Sequence, residues 1–254
     1  YWDGKERFRT LTVNTVADGQ QTTPQVAMAQ NGDFVVVWAD DQDENGYYEI
    51  LMRGFYADGS ERFSTRKVNR YSAGQQIRPR IDMNAEGEFV IVYQDDKDDN
   101  GYYQIHAVGY YASGAKRFHD IVVNVVASGQ QLYPDVAIDS SGNFVVVWED
   151  DLDENGFYEI FLRGFYYNGA QRLSTRTVNT ISSGQQKKPR VDMGKDGTFT
   201  VVYMDDYDKN GYWQIFARGY DSDGSTDFYP ITVNQVGSGQ QRLPSIAKKL
   251  HIGY

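Results

Sequence analysis

One unit of about 55 residues is written four times along the chain and begins a fifth time. Val-Asn recurs at Val13-Asn14, Val68-Asn69, Val123-Asn124, Val178-Asn179 and Val233-Asn234. Gly-Gln-Gln follows each time, starting at Gly19, Gly74, Gly129, Gly184 and Gly239, and a proline keeps step at Pro24, Pro79, Pro134, Pro189 and Pro244. The complete units span 13–67, 68–122, 123–177 and 178–232; residues 1–12 read as the tail of a preceding unit and 233–254 as the head of a following one. A copied supersecondary unit buries its apolar faces against its neighbours, so the copies must stack. The repetition also predicts a non-enzymatic protein, because a catalytic centre is normally singular and each motif here recurs.

Within the first unit the pattern predicts strands over 25–29, 34–38, 47–56 and 62–68. Asn31-Gly32 and Asp58-Gly59 are hairpin signals, since these residues tolerate positive φ. Phe34-Val35-Val36-Val37-Trp38 is apolar throughout, which implies a strand covered on both faces. No helical period appears. The expectation is an all-β, β-propeller-type array of four-stranded antiparallel blades, with an open row of the same blades as the alternative. Odd and even units alternate: Trp38 and Trp148 stand where Tyr93 and Tyr203 do, and only the even units carry Arg80-Ile81-Asp82-Met83 and Arg190-Val191-Asp192-Met193. At the carboxy end, residues 248–251 replace the expected turn. Partial units at both ends predict unfilled strand edges that pair head-to-tail with another copy.

Each complete unit also carries Asp-Asp-x-Asp-x-Asn-Gly. Oxygen-bearing residues two apart on a tight turn suit Ca²⁺, and the carbonyl of the following aromatic residue adds a ligand. The candidate ligands are Asp41, Asp43, Asn45, Tyr47 and Glu49; Asp96, Asp98, Asn100, Tyr102 and Gln104; Asp151, Asp153, Asn155, Phe157 and Glu159; and Asp206, Asp208, Asn210, Tyr212 and Gln214. Gln104 and Gln214 carry one charge fewer, so weaker sites are expected there. Carboxylates crowded on one turn repel unless a cation or hydrogen-bond donors compensate. Four Ca²⁺ ions would bring about 8 positive charges to a chain of net charge −10.

The loop resembles the Asp-x-Asp-x-Asn/Asp-Gly-x-x-Asp/Glu loop of integrin-type FG-GAP propeller repeats, which implies calcium at blade hairpins. The whole unit, from Val13-Asn14 through Pro24-Gln25-Val26-Ala27 to Gly32-Asp33-Phe34-Val35-Val36-Val37-Trp38, is similar to a repeat of large secreted bacterial calcium-binding or adhesin-like proteins. That likeness implies an extracellular or cell-surface setting.

Net charge argues against nucleic-acid partners, and the absence of cysteine removes disulfides and thiolate metal sites. No apolar run is long enough to span a bilayer. A chain beginning at Tyr1 with no leader reads as a mature product or a piece of something longer. The aromatic residues after each loop, Tyr48, Tyr103, Tyr158 and Trp213, are candidates for stacking on a sugar and equally for packing blade on blade. His106, His119 and His251 occupy unrelated positions and read as incidental. The combined expectation is a secreted calcium-binding repeat protein with a structural or adhesive role; a multivalent lectin and a fibre subunit built by strand exchange are the alternatives.

Overall fold

The four units fold as four separate sheets placed side by side. The computed structural model describes residues 6–247. The first sheet holds β1 (Gln21–Met28), β2 (Phe34–Asp40), β3 (Glu49–Phe55) and β4 (Glu61–Lys67). The second holds β5 (Gln75–Met83), β6 (Phe89–Asp96), β7 (Gln104–Tyr110) and β8 (Lys116–Val122). The third holds β9 (Gln131–Ile138), β10 (Phe144–Asp150), β11 (Glu159–Phe165) and β12 (Gln171–Thr177), and the fourth β13 (Gln186–Met193), β14 (Phe199–Asp205), β15 (Gln214–Tyr220) and β16 (Thr226–Thr232). Every sheet is an antiparallel meander in chain order, and no helix occurs among the described residues. The fold is an all-β propeller.

Period-two alternation builds the cores between blades. Val145 and Val147 of β10 pack into a cluster shared with Phe199, Val201 and Tyr203 of the fourth blade. Phe144, Val146 and Trp148 of the same strand face the other way, against Val90, Val92 and Ile105 of the second. Each central strand therefore belongs to two cores, which is why it is apolar throughout. The outer strand also grips the next blade: Phe63 stacks on Phe89 at 6.5 Å and Phe118 on Phe144 at 5.4 Å. Phe8 stacks in the same way on Phe34 at 5.7 Å. On the same face of the first blade, Val26 is 63% and Met28 58% exposed.

The recurrent motif residues are joinery. Asn69 accepts the N–H of Ile50 at 2.9 Å, and Asn124, Asn179 and Asn234 do the same for Ile105, Ile160 and Ile215. The first glutamine of each pair clamps the preceding blade's hairpin: Gln75 donates to Gly46 O at 2.7 Å and accepts from Tyr48 N at 3.2 Å. The second, Gln76, donates to Ala73 O and to Asp95 Oδ1. Gly74 sits at φ +66°, where a Cβ would lie 1.7 Å from Asp96 O, so no other residue fits.

Two strand starts differ by more than one residue from the sequence pattern. The third strand starts at Glu49 rather than 47, because the backbone of Tyr47 and Tyr48 is taken by Asn45 and Gln75. The first strand starts at Gln21 and runs through Pro24. Proline is tolerated because the register shifts between Thr22 and Gln25, leaving Thr23 and Pro24 as a bulge opposite Trp38.

The described terminal segments lie on their own molecule. Phe8 packs on Phe34, and Gln241 N donates to Trp213 O at 3.1 Å. The expected loss of the turn at 248–251 falls outside the described residues.

Candidate functional site

The first strand of each blade pairs on one edge only, with β2, β6, β10 or β14. These four inner strands pack in sequence, β1 on β5, β5 on β9 and β9 on β13. Their free edges meet at the axis, where every inward N–H needs a partner. Side chains from the neighbouring blade supply several. Asp82 Oδ2 accepts from Ile138 N at 2.9 Å and Asp135 Oδ2 from Val191 N at 3.0 Å. At the bulges, Gln94 Oε1 accepts from Tyr133 N at 2.9 Å and Glu149 Oε1 from Lys188 N at 2.7 Å.

Each bulge places a residue other than glycine in the left-handed region just before its proline: Thr23, Arg78, Tyr133, Lys188 and Leu243, at φ between 49° and 56°. Such backbone costs about 1–2 kcal/mol per residue. It turns these side chains, which differ in every unit, toward the axis. One cavity of about 130 Å³ opens there, lined by Thr23, Gln25, Arg78, Arg80, Tyr133 and Arg190 with Pro79 and Pro134. Arg78 lies over the Tyr133 ring at 4.3 Å, with Lys188 Nζ on the same ring. Arg80 donates to Gln25 Oε1 at 2.6 Å.

Carboxyl groups with raised pKa stand at this axis. Burial pushes Asp82 up to about 7; the N–H groups of Ile138 and Met83 resist that, and the charges of Asp192 and Asp135 add to it. Burial also pushes Asp135 up to about 6, against the pull of Arg190, Val191 N–H and Arg80. Glu149 is raised to about 6 by burial, opposed by Lys188. Burial and the neighbouring Arg190 both lower the pKa of Arg80. Two carboxyls within each other's field, protonatable near neutral pH and beside guanidinium groups, are the equipment of general acid–base chemistry.

The hairpin loops lie elsewhere and are closed by their own donors. Asp41 accepts from Gly46 N at 3.2 Å, Asp43 from Asn45 Nδ2 at 2.8 Å, and Asn45 from Tyr47 N at 2.7 Å. The same pattern recurs at Asp96, Asp151 and Asp206 with Gly101, Gly156 and Gly211, and at Asp98, Asp153 and Asp208 with Asn100, Asn155 and Asn210. Tyr102, Phe157 and Tyr212 are reached by their neighbouring asparagine Oδ1 through backbone N–H. Glu49 turns to Lys67 at 3.2 Å; burial, with Asp153, raises the pKa of Glu159. Gln104 and Gln214 turn away toward Ala127 O and Gly237 O. Among the described residues no three carboxylate or imidazole side chains gather to hold a metal ion. These donors offset part of the repulsion expected on the loops; at Asp96 the charges of Asp98 and Asp99 still add to burial in raising the pKa, against the N–H groups of Gly101 and Asn100.

Of the aromatic candidates, Tyr48 packs against the core between the first two blades. Tyr103 and Trp213 are half-buried, and Lys187 Nζ lies 4.8 Å from the Tyr158 ring. His106 is not incidental. It is 2% exposed, Nδ1 lies 3.0 Å from Asp120, and Nε2 faces Asp95 at 3.6 Å.

The sequence matches no protein-family model and no curated protein. Solved structures match the fold. A Penicillium chrysogenum α-L-arabinanase complexed with arabinobiose is 12% identical, with a TM-score of 0.61 over 86% of this chain and 68% of that one. A Fusarium graminearum α-L-arabinofuranosidase is 10% identical, TM-score 0.57, over 86% and 68%. A thermostable family-43 glycoside hydrolase is 16% identical, TM-score 0.52, over 89% and 78%. At these identities the likeness shows the propeller fold. It corrects the expected kinship, since these neighbours are an arabinanase and an arabinofuranosidase rather than FG-GAP or adhesin-like calcium repeats. The structural-adhesive reading, with its lectin and fibre alternatives, falls with that kinship. So does the inference against an enzyme: four repeats converge on one axial cavity, so repetition and a singular site are compatible. Among the described residues no helix is long and apolar enough to cross a membrane.

Proposed function

We propose that the chain is a carbohydrate-processing enzyme of the glycoside hydrolase kind, with its site on the propeller axis. One observation carries the reading: four repeats contribute side chains to a single cavity, and Asp135, a buried carboxyl raised toward neutral pH, lies in the field of two of its arginines. Glycosidic cleavage needs two carboxyls, one to protonate the leaving oxygen and one to act as base or nucleophile. Asp82, the more readily protonated, is the candidate proton donor. Asp135, in the field of Arg80 and Arg190, is the candidate base. The neighbours' action on arabinose polymers supports testing arabinan first.

The experiment is incubation with arabinan and arabino-oligosaccharides, with chromatography of released sugars. Release by the wild-type chain that disappears in Asp135→Asn supports the reading. No sugar released or bound, from arabinan or other plant-wall glycans, counts against it. An extracellular location is proposed alongside, since such polymers lie outside cells. Calcium at the four hairpin loops is a separate proposal, supported by their charge alone; thermal unfolding with Ca²⁺, Mg²⁺ and chelator tests it.

A further inference from the structure

Arg78, Arg80 and Arg190 line the axial cavity, and no acidic residue does. This is unusual in a chain whose net charge is −10. The two half-buried guanidinium groups donate to neutral acceptors: Arg80 to Gln25 Oε1 at 2.6 Å, Arg190 to Pro189 O at 2.8 Å. A guanidinium carries five donors, so each retains N–H groups for a ligand. Arg80 and Arg190 hold the same position in the second and fourth units, so the alternation sets two like forks around one opening. Burial first, and then the nearby charge of Arg190, disfavour the charged form of Arg80. Asp135 offsets part of this cost with one carboxylate shared between the two arginines, and one of its oxygens also accepts Val191 N–H. An anion entering between the forks would relieve the repulsion and gain bidentate geometry. A cavity of about 130 Å³ is below the usual range of roughly 300 Å³ and upward for ligand pockets. It suits one acidic substituent of a sugar, not a length of polymer.

We infer that the axial site selects acidic sugars, seating the carboxylate of a uronic acid on Arg80 and Arg190. This rests on the carbohydrate reading of the same cavity. The test is isothermal titration of the wild-type chain with digalacturonate, with neutral arabinobiose, and with inorganic phosphate as a bare anion. Digalacturonate is expected to bind at least about tenfold tighter than arabinobiose, a gap of about 1.4 kcal/mol. Arg80→Gln and Arg190→Gln should abolish that preference. Arg80→Lys keeps the charge in case the neutral variants fail to fold; it should lose most of the preference, because an ammonium lacks the fork. Arabinobiose binding as tightly as digalacturonate, with the arginine variants indifferent, overturns the inference and leaves the carbohydrate reading standing. Phosphate bound with neither sugar bound overturns both, as does no binding at all.

Discussion

The carboxylate of Asp82 accepts the backbone N–H of Ile138 at 2.9 Å, and so ties the inner strand of the second blade to that of the third. Asp135 repeats the device one blade on, with Val191. Asp135 holds the position of Arg80 and Arg190 in its own repeat, and Asp82 stands two residues further along its strand; each closes an inner edge that no strand covers. They are at once structural pins and buried carboxyls of raised pKa, Asp135 in the field of two arginines of the axial cavity.

That double role predicts a pH dependence. The folded pKa of Asp82 is about 7, against 3.8 for the unconstrained group. Between those values the folded chain binds the extra proton, so stability falls as pH rises through that window and is fullest below it. Asp82→Asn keeps an oxygen for Ile138 N–H and removes the charge. Thermal unfolding from pH 4 to 8 should show a flatter profile for the variant, and a melting temperature at pH 8 no lower than wild type. A parallel profile in both proteins would refute the assignment.

Asp135→Asn separates chemistry from scaffold in the same way. The amide oxygen can still receive Val191 N–H, so folding should survive. Glycan cleavage should fall by about 10³-fold or more, as expected when a group of a cooperating catalytic set is removed. Sugar binding should change far less, and a titration beside the activity assay reads both.

The fold was legible because its determinants repeat. Val-Asn, Gln-Gln and Asn-Gly stand at fixed steps, and each makes the same hydrogen bonds in every blade. The axial site was hidden by the same reading. Looking for what recurs selects scaffold and discards Thr23, Arg78, Tyr133, Lys188 and Leu243, the one position beside the proline where all copies disagree. That disagreement, in an otherwise regular repeat, was the available signal. The acidic loops drew attention because three or four carboxylates recur together, and backbone and amide donors meet part of their charge. His106 was passed over because it was weighed alone. Asp120 appears in the same unit only, where the other units carry Thr65, Thr175 and Pro230.

Glycine tolerance should split sharply by position. Gly74 has positive φ and a Cβ would meet Asp96 O at 1.7 Å, whereas Gly46 has φ +86° with nothing within 4 Å. Gly46→Ala should cost about 1 kcal/mol from backbone strain alone. Gly74→Ala should cost more than about 4 kcal/mol or prevent folding. Denaturant unfolding of the pair measures the difference, and equal losses would contradict the close approach.

The cluster around His106 explains why odd and even blades differ. In odd blades the tryptophan indole donates to the strand-end aspartate, Trp38 to Asp40 and Trp148 to Asp150, each at 2.7 Å. A tyrosine there cannot make that bond. In the second blade Tyr93 OH turns to Asp120 at 2.9 Å, and His106 stands between Asp120 and Asp95 as the shared partner. The fourth blade has Tyr203 and no histidine, and burial leaves Asp205 raised to about 6. His106→Leu should therefore destabilise by about 3–5 kcal/mol, since it strands two buried carboxylates. Adding Asp120→Thr restores the first blade's pair, Leu51 with Thr65, and removes one of those carboxylates. The double variant should regain at least half of the loss, a coupling readable in a double-mutant cycle. Additive losses would mean that His106 acts by filling space and that the two aspartates do not depend on it.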